Sequence, residues 1–331
     1  MMIPKRLPIH GNGRAVLKAF GREATFSELS FSYPLKLVSP KISSGDAATP
    51  VAIVYILSYG GGLVSGDRID LDMDIGENSS LLVLTQGSTK VFQARGPRKS
   101  DLQDQDQDSP PSSPNLFPTA GPPYATTQKL HTTIAPGGFL LLLPDPLTCF
   151  AGASYSQTQT FVLNHGASLV LLDWYTSGRM HRGEAWAFQR YRSTNEVWMD
   201  SPSTSGSKRR RVARDALLLE EDEENADVYP MKARTLKDRM GPFHCYATIH
   251  LFGPKVQAVV ASIQREFETI RVFQQSKQDS LVWSFSALEE GNGGIVRVAG
   301  EETELVRDCM KRLLAPLGDV VGAEAWSKAL L

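Results

Sequence analysis

Apolar and polar residues alternate along much of this chain with a period of two, which is typical of β-strands. The clearest case is RIDLDMDI at residues 68–75. Its apolar residues share one face of the predicted strand: Ile69, Leu71, Met73 and Ile75. Its charged residues share the other face: Arg68, Asp70, Asp72 and Asp74. An uninterrupted apolar run at Val51–Leu57 predicts a fully buried strand shortly before it.

A glycine-rich segment, YGGGLVSGD at residues 59–67, separates these two predicted strands. Glycines after a buried strand also occur in nucleotide-binding loops, but those loops need a helix N-terminus behind the glycines to face the phosphates. Here a strand follows, and Asp67 and Arg68 stand where a phosphate-binding loop has Lys and Ser or Thr. We therefore reject a phosphate site and predict a tight strand-to-strand turn, in which glycine supplies unusual backbone dihedrals.

A short pattern occurs three times: an apolar residue, a polar turn with Asn or Gly at the fourth position, a small residue and a run of aliphatics. The copies are IGENSSLLVLTQ at 75–86, IAPGGFLLLLPD at 134–145 and LNHGASLVLLDW at 163–174. Their offsets are 59 and 29 residues, and removing the polar stretch 98–126 from the first interval leaves about 30. Stacked coils of a β-solenoid would produce such equal steps. Similar hairpins in a β-sandwich would also place a glycine turn before each aliphatic strand, so the repeat alone leaves both folds open.

Two helices are predicted in the C-terminal third of the chain. Residues 255–270 carry apolar side chains at the i, i+3, i+4, i+7 spacing of one buried stripe. These are Val256, Val259, Val260, Ile263, Phe267 and Ile270. The second helix is predicted at 301–317, with four residues facing inward: Leu305, Cys309, Leu313 and Leu314. The remaining chain predicts short strands, so the fold class is mainly β with two α-helices.

Composition predicts a single domain over residues 1–331 with two disordered insertions. With 331 residues and 41% hydrophobic content, the chain can bury a large core. The segment 98–126 is rich in Pro, Ser, Gln and Asp and cannot sustain packing. The segment 201–227 is charged and predicted to be largely disordered, although its apolar run Ala216–Leu219 is left open as a strand.

Net charge and cysteine content limit which cellular compartment and which classes of partner we expect. A net charge of −1 argues against nucleic acid as the main partner. The basic run Lys208–Arg211 is interpreted as a solvated loop partly neutralised by Glu220–Glu224, with a nuclear address as the alternative. Three widely spaced cysteines indicate a reducing compartment. The N-terminal residues lack the apolar stretch of a signal peptide, and no apolar run approaches 18 residues, so we expect a cytoplasmic protein without a membrane partner.

Five segments, taken in order, resemble the urease accessory protein D family, also called the H-type accessory protein. They are GGGLVSGDRI at 60–69, TQGSTKVF at 85–92, LPDP at 143–146, TSGRMHRGEAWAF at 176–188 and MGPFHCYAT at 240–248. The resemblance covers most of residues 5–200 and 230–331, and the two insertions beyond the family's core suggest a eukaryotic-type member. It implies a β-helix-like stack of strands with a pair of helices, which favours the solenoid over the sandwich.

The resemblance also implies a function without catalysis. A family member is a urease maturation factor that docks on the urease apoprotein and recruits urease accessory protein F and the GTPase accessory protein G. Nickel released by the GTPase would then pass through its interior to the urease active site. No cofactor is expected to be permanently bound, and Ni²⁺ would be present only transiently.

The sequence does not support a tight metal site or a catalytic centre. His244 and His250 would lie about 20 Å apart on one strand face, with Cys245 pointing the other way, so we interpret them as packing or edge residues. His181 stands alone and is interpreted as a turn residue. The sequence contains no G-x-S-x-G nucleophile motif, and it identifies no general base for Ser65.

Three acids stand next to tight turns inside the matching motifs: Asp67, Asp145 and Glu184. One hypothesis is structural, with Asp67 capping a turn and pairing with Arg68, and Glu184 pairing with Arg182 or Arg179. The other is that all three line a water-filled nickel path, because a few oxygen ligands release a metal that imidazole and thiolate clusters would retain. We assign supporting roles to the neighbouring motif residues, which are Gly60, Gly61, Gly62, Gly66, Arg68, Thr85, Gln86, Gly87, Lys90, Arg179, Arg182 and Gly183.

Two alternative functions do not involve nickel passage. In the first, the chain is a docking scaffold that carries no metal. In the second, it is a solenoid enzyme that acts on carbohydrate, with Asp70, Asp72 and Asp74 as the catalytic acids.

Overall fold

The structure is a computed structural model that describes residues 10–42, 47, 49–94, 125–201, 208–220, 234–273, 280–288 and 293–329. The strands are β1 (His10–Phe20), β2 (Glu23–Phe31), β3 (Leu35–Val38), β4 (Val51–Ser58), β5 (Arg68–Ile75), β6 (Ser80–Leu84), β7 (Thr89–Val91), β8 (Thr126–Ile134), β9 (Phe139–Leu142), β10 (Leu147–Cys149), β11 (Ser154–Leu163), β12 (Ser168–Thr176), β13 (Arg190–Ser201), β14 (Lys208–Glu220), β15 (Cys245–Phe252), β16 (Leu281–Ala287) and β17 (Gly293–Gly300). The helices are α1 (Leu236–Met240), α2 (Gln257–Phe273), α3 (Thr303–Leu314), α4 (Gly318–Val321) and α5 (Ala323–Trp326). The prediction of a mainly β fold is confirmed.

The strands form two mixed sheets. Sheet A has the order β14-β13-β11-β8-β5-β1-β2, and sheet B has the order β16-β17-β15-β12-β9-β6-β4-β3 with β7 and β10 attached beside it. Within the central part of each sheet the neighbouring strands are parallel. From β4 to β13 the chain passes repeatedly between sheet B and sheet A, so parallel neighbours in each sheet come from successive passes. The short strands β7 and β10 follow β6 and β9 on the sheet B side before the chain crosses back.

The three copies of the sequence pattern lie side by side in this arrangement. Ile134 pairs in register with both Ile75 and Leu163 in sheet A. The aliphatic runs that follow form β6, β9 and β12, which are neighbours in sheet B. The fourth position of each copy has a positive φ: 49° at Asn78, and 67° and 72° at the two corresponding glycines. That backbone conformation explains why the pattern requires Asn or Gly there.

Two apolar cores lie on the two faces of sheet B. One fills the space between the sheets and includes the inward face of β5, as the alternation in RIDLDMDI predicts. The other lies between sheet B and the helices, and it contains the alternate residues of β6, β9, β12 and β15. The parallel strands of sheet B are therefore buried on both faces, which explains their continuous aliphatic sequences.

Both predicted C-terminal helices are present. A 3₁₀ turn at Pro254–Val256 leads into α2, and four residues of the predicted stripe are buried: Val256, Val259, Val260 and Ile263. Phe267 packs against the same core, while the side chain of Ile270 lies outside the described part of the chain.

The inward face of the second helix differs from the prediction at Leu305, which is 36% exposed. The buried residues of α3 are Val306, Cys309, Met310, Leu313 and Leu314. The i, i+3, i+4, i+7 stripe starts at Val306, one residue after the predicted position, because Val306 and not Leu305 packs against the sheet B core.

The predicted disorder at 201–227 is wrong for residues 208–220. These residues form β14, which pairs with β13 along its whole length and includes the run Ala216–Leu219. Arg211 and Arg214 both pair with Glu196 on the adjacent strand, so the charges that suggested a loop are satisfied within the sheet. The rest of that insertion after Glu220 lies outside the described residues, as does 98–124 of the first, whereas Thr126 is buried and begins β8.

In the ranges that the structure describes, no helix combines the length and apolar character needed to span a membrane.

Candidate functional site

A cleft of about 1320 Å³ opens where the parallel strands of sheet B end. Its walls include the ends of β4, β6 and β9 and the segment that follows β12. Several predicted motif residues line it: Thr85, Gln86, Gly87, Asp145, Arg179 and Arg182. The residues 301–304 before and at the start of α3 add three glutamates to the opposite wall. Carboxyl ends of parallel strands place their connecting loops at one edge, which explains why separate motifs meet there.

Asp145 is the predicted acid that lies in this cleft. Its Oδ2 accepts hydrogen bonds from the backbone N–H of Gly87 at 2.8 Å and from Thr85 Oγ1 at 3.4 Å. The backbone N–H of Asp145 in turn donates to Thr85 Oγ1 at 2.7 Å. The LPDP and TQG motifs therefore hold each other, and the carboxylate is fixed at the cleft wall.

A second, smaller cavity of about 70 Å³ lies between the two sheets behind the cleft. Thr85 and Asp145 line both spaces, so they stand at the boundary between them. The smaller cavity has an apolar lining interrupted by polar side chains: Gln128, Tyr155, Gln157, Gln159 and Asp173. A polar cavity of this kind inside an otherwise aliphatic core needs hydrogen-bond partners for each group.

A hydrogen-bond network centred on Asp173 supplies partners for Gln128, Tyr155 and Gln157 and joins the two sheets. Asp173 on β12 accepts from Gln157 at 3.0 Å, from Ser193 at 2.5 Å and from Asn195 at 2.7 Å, and these three donors lie on sheet A. Tyr155 donates to Gln157 at 3.2 Å, and burial raises the pKa of the Tyr155 hydroxyl well above 10, so it remains a neutral donor.

The network continues toward β14, the edge strand of sheet A, and β15 in sheet B. Asp215 pairs in register with Asn195, and its Oδ2 lies 3.6 Å from Nε2 of the buried His250. Arg297 lies 3.7 Å from the other carboxylate oxygen. The contact with His250, opposed by partial burial, lowers the pKa of Asp215, so this carboxylate is charged at neutral pH.

Asp67 holds the turn, as one part of the structural hypothesis describes, but no ion pair with Arg68 is present among the described residues. It is buried, its Oδ2 accepts a hydrogen bond from the backbone N–H of Val64 at 2.8 Å, and burial raises its pKa. Its own backbone carbonyl accepts from Thr127 at the start of β8. Asp67 is absent from the walls of both cavities in the described part of the chain.

Glu184 binds Arg179 through two hydrogen bonds of 2.8 and 2.5 Å and also accepts from the backbone N–H of Ala151 at 3.2 Å. Arg179, which lines the cleft, also stacks on the Phe150 ring at 3.9 Å. The Arg179 hydrogen bonds hold the pKa of Glu184 below its usual range. Glu184 therefore fixes the Arg179 side chain, and in the described residues it does not itself line either cavity.

The glycine turn positions the first motif against the second. Gly60, Gly61 and Gly66 have φ values of 75°, 75° and 83°, as a tight turn requires. Gly62 instead packs closely, since a Cβ there would lie 2.7 Å from the carbonyl oxygen of Lys90. That same carbonyl accepts the backbone hydrogen bond of Leu63. Strand β5 follows this turn, in agreement with the rejection of a phosphate loop.

The histidines and cysteines are dispersed among these features. His181 and His244 line the cleft, His250 faces the space between the sheets, and Cys245 faces the helices. Among the residues that the structure describes, no three His, Cys, Asp or Glu side chains are placed to share an ion. Gly183 takes a left-handed conformation and ends the short turn that carries His181.

The residues around the interior cavity were missed in the sequence. Gln157 and Gln159 occupy the same strand face as Phe161, and Asp173 interrupts the aliphatic run LVLLDWY. Polar side chains at positions that the alternation assigns to the core were the available signal.

Comparison with known proteins places the chain among the accessory proteins of urease. The family model described as UreD urease accessory protein matches residues 10–328. The chain is 33% identical to "Urease accessory protein 4" of Cryptococcus neoformans over 99% of this chain and 97% of that protein. It is 30% identical to "Urease accessory protein D" of Arabidopsis thaliana over 94% of this chain and 97% of the relative. It is also 32% identical to an uncharacterized ureD-like urease accessory protein of Schizosaccharomyces pombe, covering 87% and 88% of the two chains.

The chain therefore belongs to the UreD urease accessory protein family. The predicted family is confirmed, and the prediction that this chain is an accessory protein and not an enzyme is confirmed with it. These relatives come from two fungi and a plant, in agreement with the predicted eukaryotic type.

Proposed function

We propose that this chain is a urease maturation factor that assists GTP-dependent delivery of nickel into apo-urease. It docks on the urease apoprotein together with accessory protein F, and through F with the GTPase accessory protein G. The nickel ion is cargo and enters the interior of the chain at the cleft. The observation that supports passage is the polar cavity between the sheets, which shares Thr85 and Asp145 with the open cleft.

The chemistry of this route suits a metal in transit. Asp145 and Asp173 offer carboxylate oxygens and Gln128, Gln157 and Gln159 offer amide oxygens, so the lining attracts a divalent cation without a thiolate or imidazole cluster. Side-chain oxygens of this lining would replace part of the hydration shell of the ion during passage.

The finer structural and cellular predictions belong to the same proposal. The alternation of the chain between sheets A and B supports a β-helix-like stack, whose rigid coils would hold the cavity open. The protein acts in the cytoplasm, with neither nucleic acid nor a membrane as its partner. The three cysteines are free and buried, as suits a reducing compartment.

Substitution of the lining acid tests passage. Asp145→Asn keeps the shape of the side chain and an acceptor for Gly87 but removes the charge at the boundary of the two cavities. We expect this variant to remain in the complex with apo-urease and accessory proteins F and G, and to lower nickel activation of urease. Asp72→Asn, on the exposed face of β5, is the matched control and should activate as wild type.

The three acids predicted from the sequence can also be changed together. Asp67→Ala, Asp145→Ala and Glu184→Ala combined should lower activation while the complex still assembles. Because Asp67 and Glu184 hold turns in this structure, we expect their single variants to lower activation by destabilising the fold. The single variant Asp145→Asn leaves those turns intact, so it tests nickel passage separately from stability.

The second candidate function is a docking scaffold that carries no metal. It requires only that the complex assembles, so Asp145→Asn with full complex formation and wild-type activation would favour it. The third alternative, a carbohydrate-active enzyme, has no support from the family to which the chain belongs.

A further inference from the structure

His250 is a buried side chain whose ring lacks a hydrogen-bond partner in the part of the chain that the structure describes. It lies on β15, faces the space between the sheets and is 1% exposed, and neither ring nitrogen has a hydrogen-bond partner among the described residues. Its Nε2 is 3.6 Å from Asp215 Oδ2, which is beyond hydrogen-bonding distance. A buried imidazole without a hydrogen-bond partner is costly, so a bound group that contacts its ring nitrogens would stabilise the fold.

A second orphaned atom lies beside this pair. Asn195 is 3% exposed and pairs in register with Asp215 on the neighbouring strand. Its Nδ2 donates to Asp173, which fixes the amide, while its Oδ1 has no hydrogen-bond partner among the described residues. An imidazole nitrogen, a carboxylate oxygen and an amide oxygen from three strands are thus brought to one part of the interior.

We propose that His250 and Asp215 form an open binding site for a divalent transition-metal ion, with the Asn195 amide oxygen as a third protein ligand and water at the remaining positions. Ligand bonds to such ions are about 2.1 Å. Two donors 3.6 Å apart then subtend about 120° at an ion between them, so His250 and Asp215 can both bind with little movement. Imidazole with oxygen ligands is a donor set that suits nickel, zinc and copper.

The site has an entrance. The side chain of Asp215 is 32% exposed, and that of Arg297, which lies 3.7 Å from Asp215 Oδ1, is 51% exposed. Arg297 therefore stands at the surface and contacts the carboxylate oxygen that faces away from His250. It can turn outward into solvent, leaving Oδ2 for the ion.

The metal affinity of this site is lower than that of a structural metal centre. The reason is that only two of its protein ligands, His250 and Asp215, belong to the residue types that bind metals most strongly. It stands apart from the proposed function, because it rests on His250, Asp215 and Asn195 on β15, β14 and β13 and does not require passage through the cleft.

Nickel titration of the metal-free full-length chain tests the proposal. The chain has six histidines, and labelling them with ¹³C and ¹⁵N allows each ring to be followed by NMR. His250 is assigned from the signal lost in His250→Gln or, if that variant does not fold, from the signal shifted most in Asp215→Asn. We expect substoichiometric Ni²⁺ to broaden the His250 ring signals first, through paramagnetic relaxation.

The Asp215→Asn variant provides the quantitative test of metal affinity, because the residue is partly exposed and the substitution preserves the shape of the side chain. We expect Ni²⁺ affinity, measured by calorimetry, to fall at least about tenfold. His10→Gln is the matched control, since His10 forms an exposed pair with Asp70 at 2.6 Å. Broadening that begins at another histidine, unchanged affinity in Asp215→Asn, or no saturable binding by wild type would each overturn the proposal.

Discussion

Asp173 holds the two sheets together at the interior cavity. Replacing it by alanine and by asparagine should distinguish how much its charge and its hydrogen bonds each contribute to stability. Three donors on sheet A converge on its carboxylate: Gln157, Ser193 and Asn195. All three are buried, so water cannot readily replace the acceptor that they would lose in Asp173→Ala.

The magnitude follows from the partners that remain. A hydrogen bond to a charged group contributes about 1.5–3 kcal/mol. Gln157 and Ser193 keep the bond between them, so the loss in Asp173→Ala is less than three full bonds. We expect the free energy of unfolding to fall by roughly 3–5 kcal/mol.

Asp173→Asn should cost much less. Its new amide N–H₂ would face Asn195, whose own Oδ1 has no partner among the described residues and becomes an acceptor if that amide rotates by half a turn. Neutral hydrogen bonds then replace charged ones, and the expected loss is about 1–2 kcal/mol.

Equilibrium urea unfolding of the wild type and both variants at pH 7 measures these differences. An alanine variant within about 1 kcal/mol of the wild type would show that the three donors find other partners. An asparagine variant as unstable as the alanine variant would show that the charge itself holds the sheets, and either result would refute the reasoning.

Three further predictions concern the turn, the ion pair and the last long helix. Gly62→Ala places a methyl group 2.7 Å from a backbone carbonyl, and thermal unfolding should show a loss of roughly 1–3 kcal/mol. Arg179 lowers the folded-state pKa of Glu184 below its ordinary value, so this stabilisation is present above the unfolded-state pKa and lost as pH falls through the folded-state pKa. The stability difference between wild type and Glu184→Gln should therefore be full at pH 7 and shrink in acid; a difference that grows as the pH is lowered would contradict the assignment. Met310→Ala should cost about 2–5 kcal/mol and Leu305→Ala less than about 0.5 kcal/mol in urea unfolding, whereas equal losses would contradict the observed helix face.

Local patterns predicted the parts of the fold that local physics decides. The strand at 68–75 and the positive φ positions of the repeat follow from alternation and from turn chemistry within a few residues. The α3 stripe was misplaced because Leu305 and Val306 are both apolar, and only contact with sheet B decides which one is buried.

Pairing between distant segments decided what the sequence did not predict. Strand β14 was interpreted as mostly disordered because its charges suggest a loop, yet its arginines pair with acids on β13. Among the three predicted acids, only Asp145 lines a cavity in the described structure, since LPDP and TQG meet across 58 residues of sequence. The interior network around Asp173 forms because sheet A packs against sheet B, and no single segment of the sequence determines that packing.

The most direct test of the central claim, that this chain assists nickel delivery to urease, is activation in a reconstituted mixture. Apo-urease, accessory proteins F and G, GTP, bicarbonate and nickel are combined with and without the chain, and urease activity is followed over time. The account predicts activation that depends on the chain and falls when Asp145→Asn replaces the wild type. Equal activation without the chain would contradict the account.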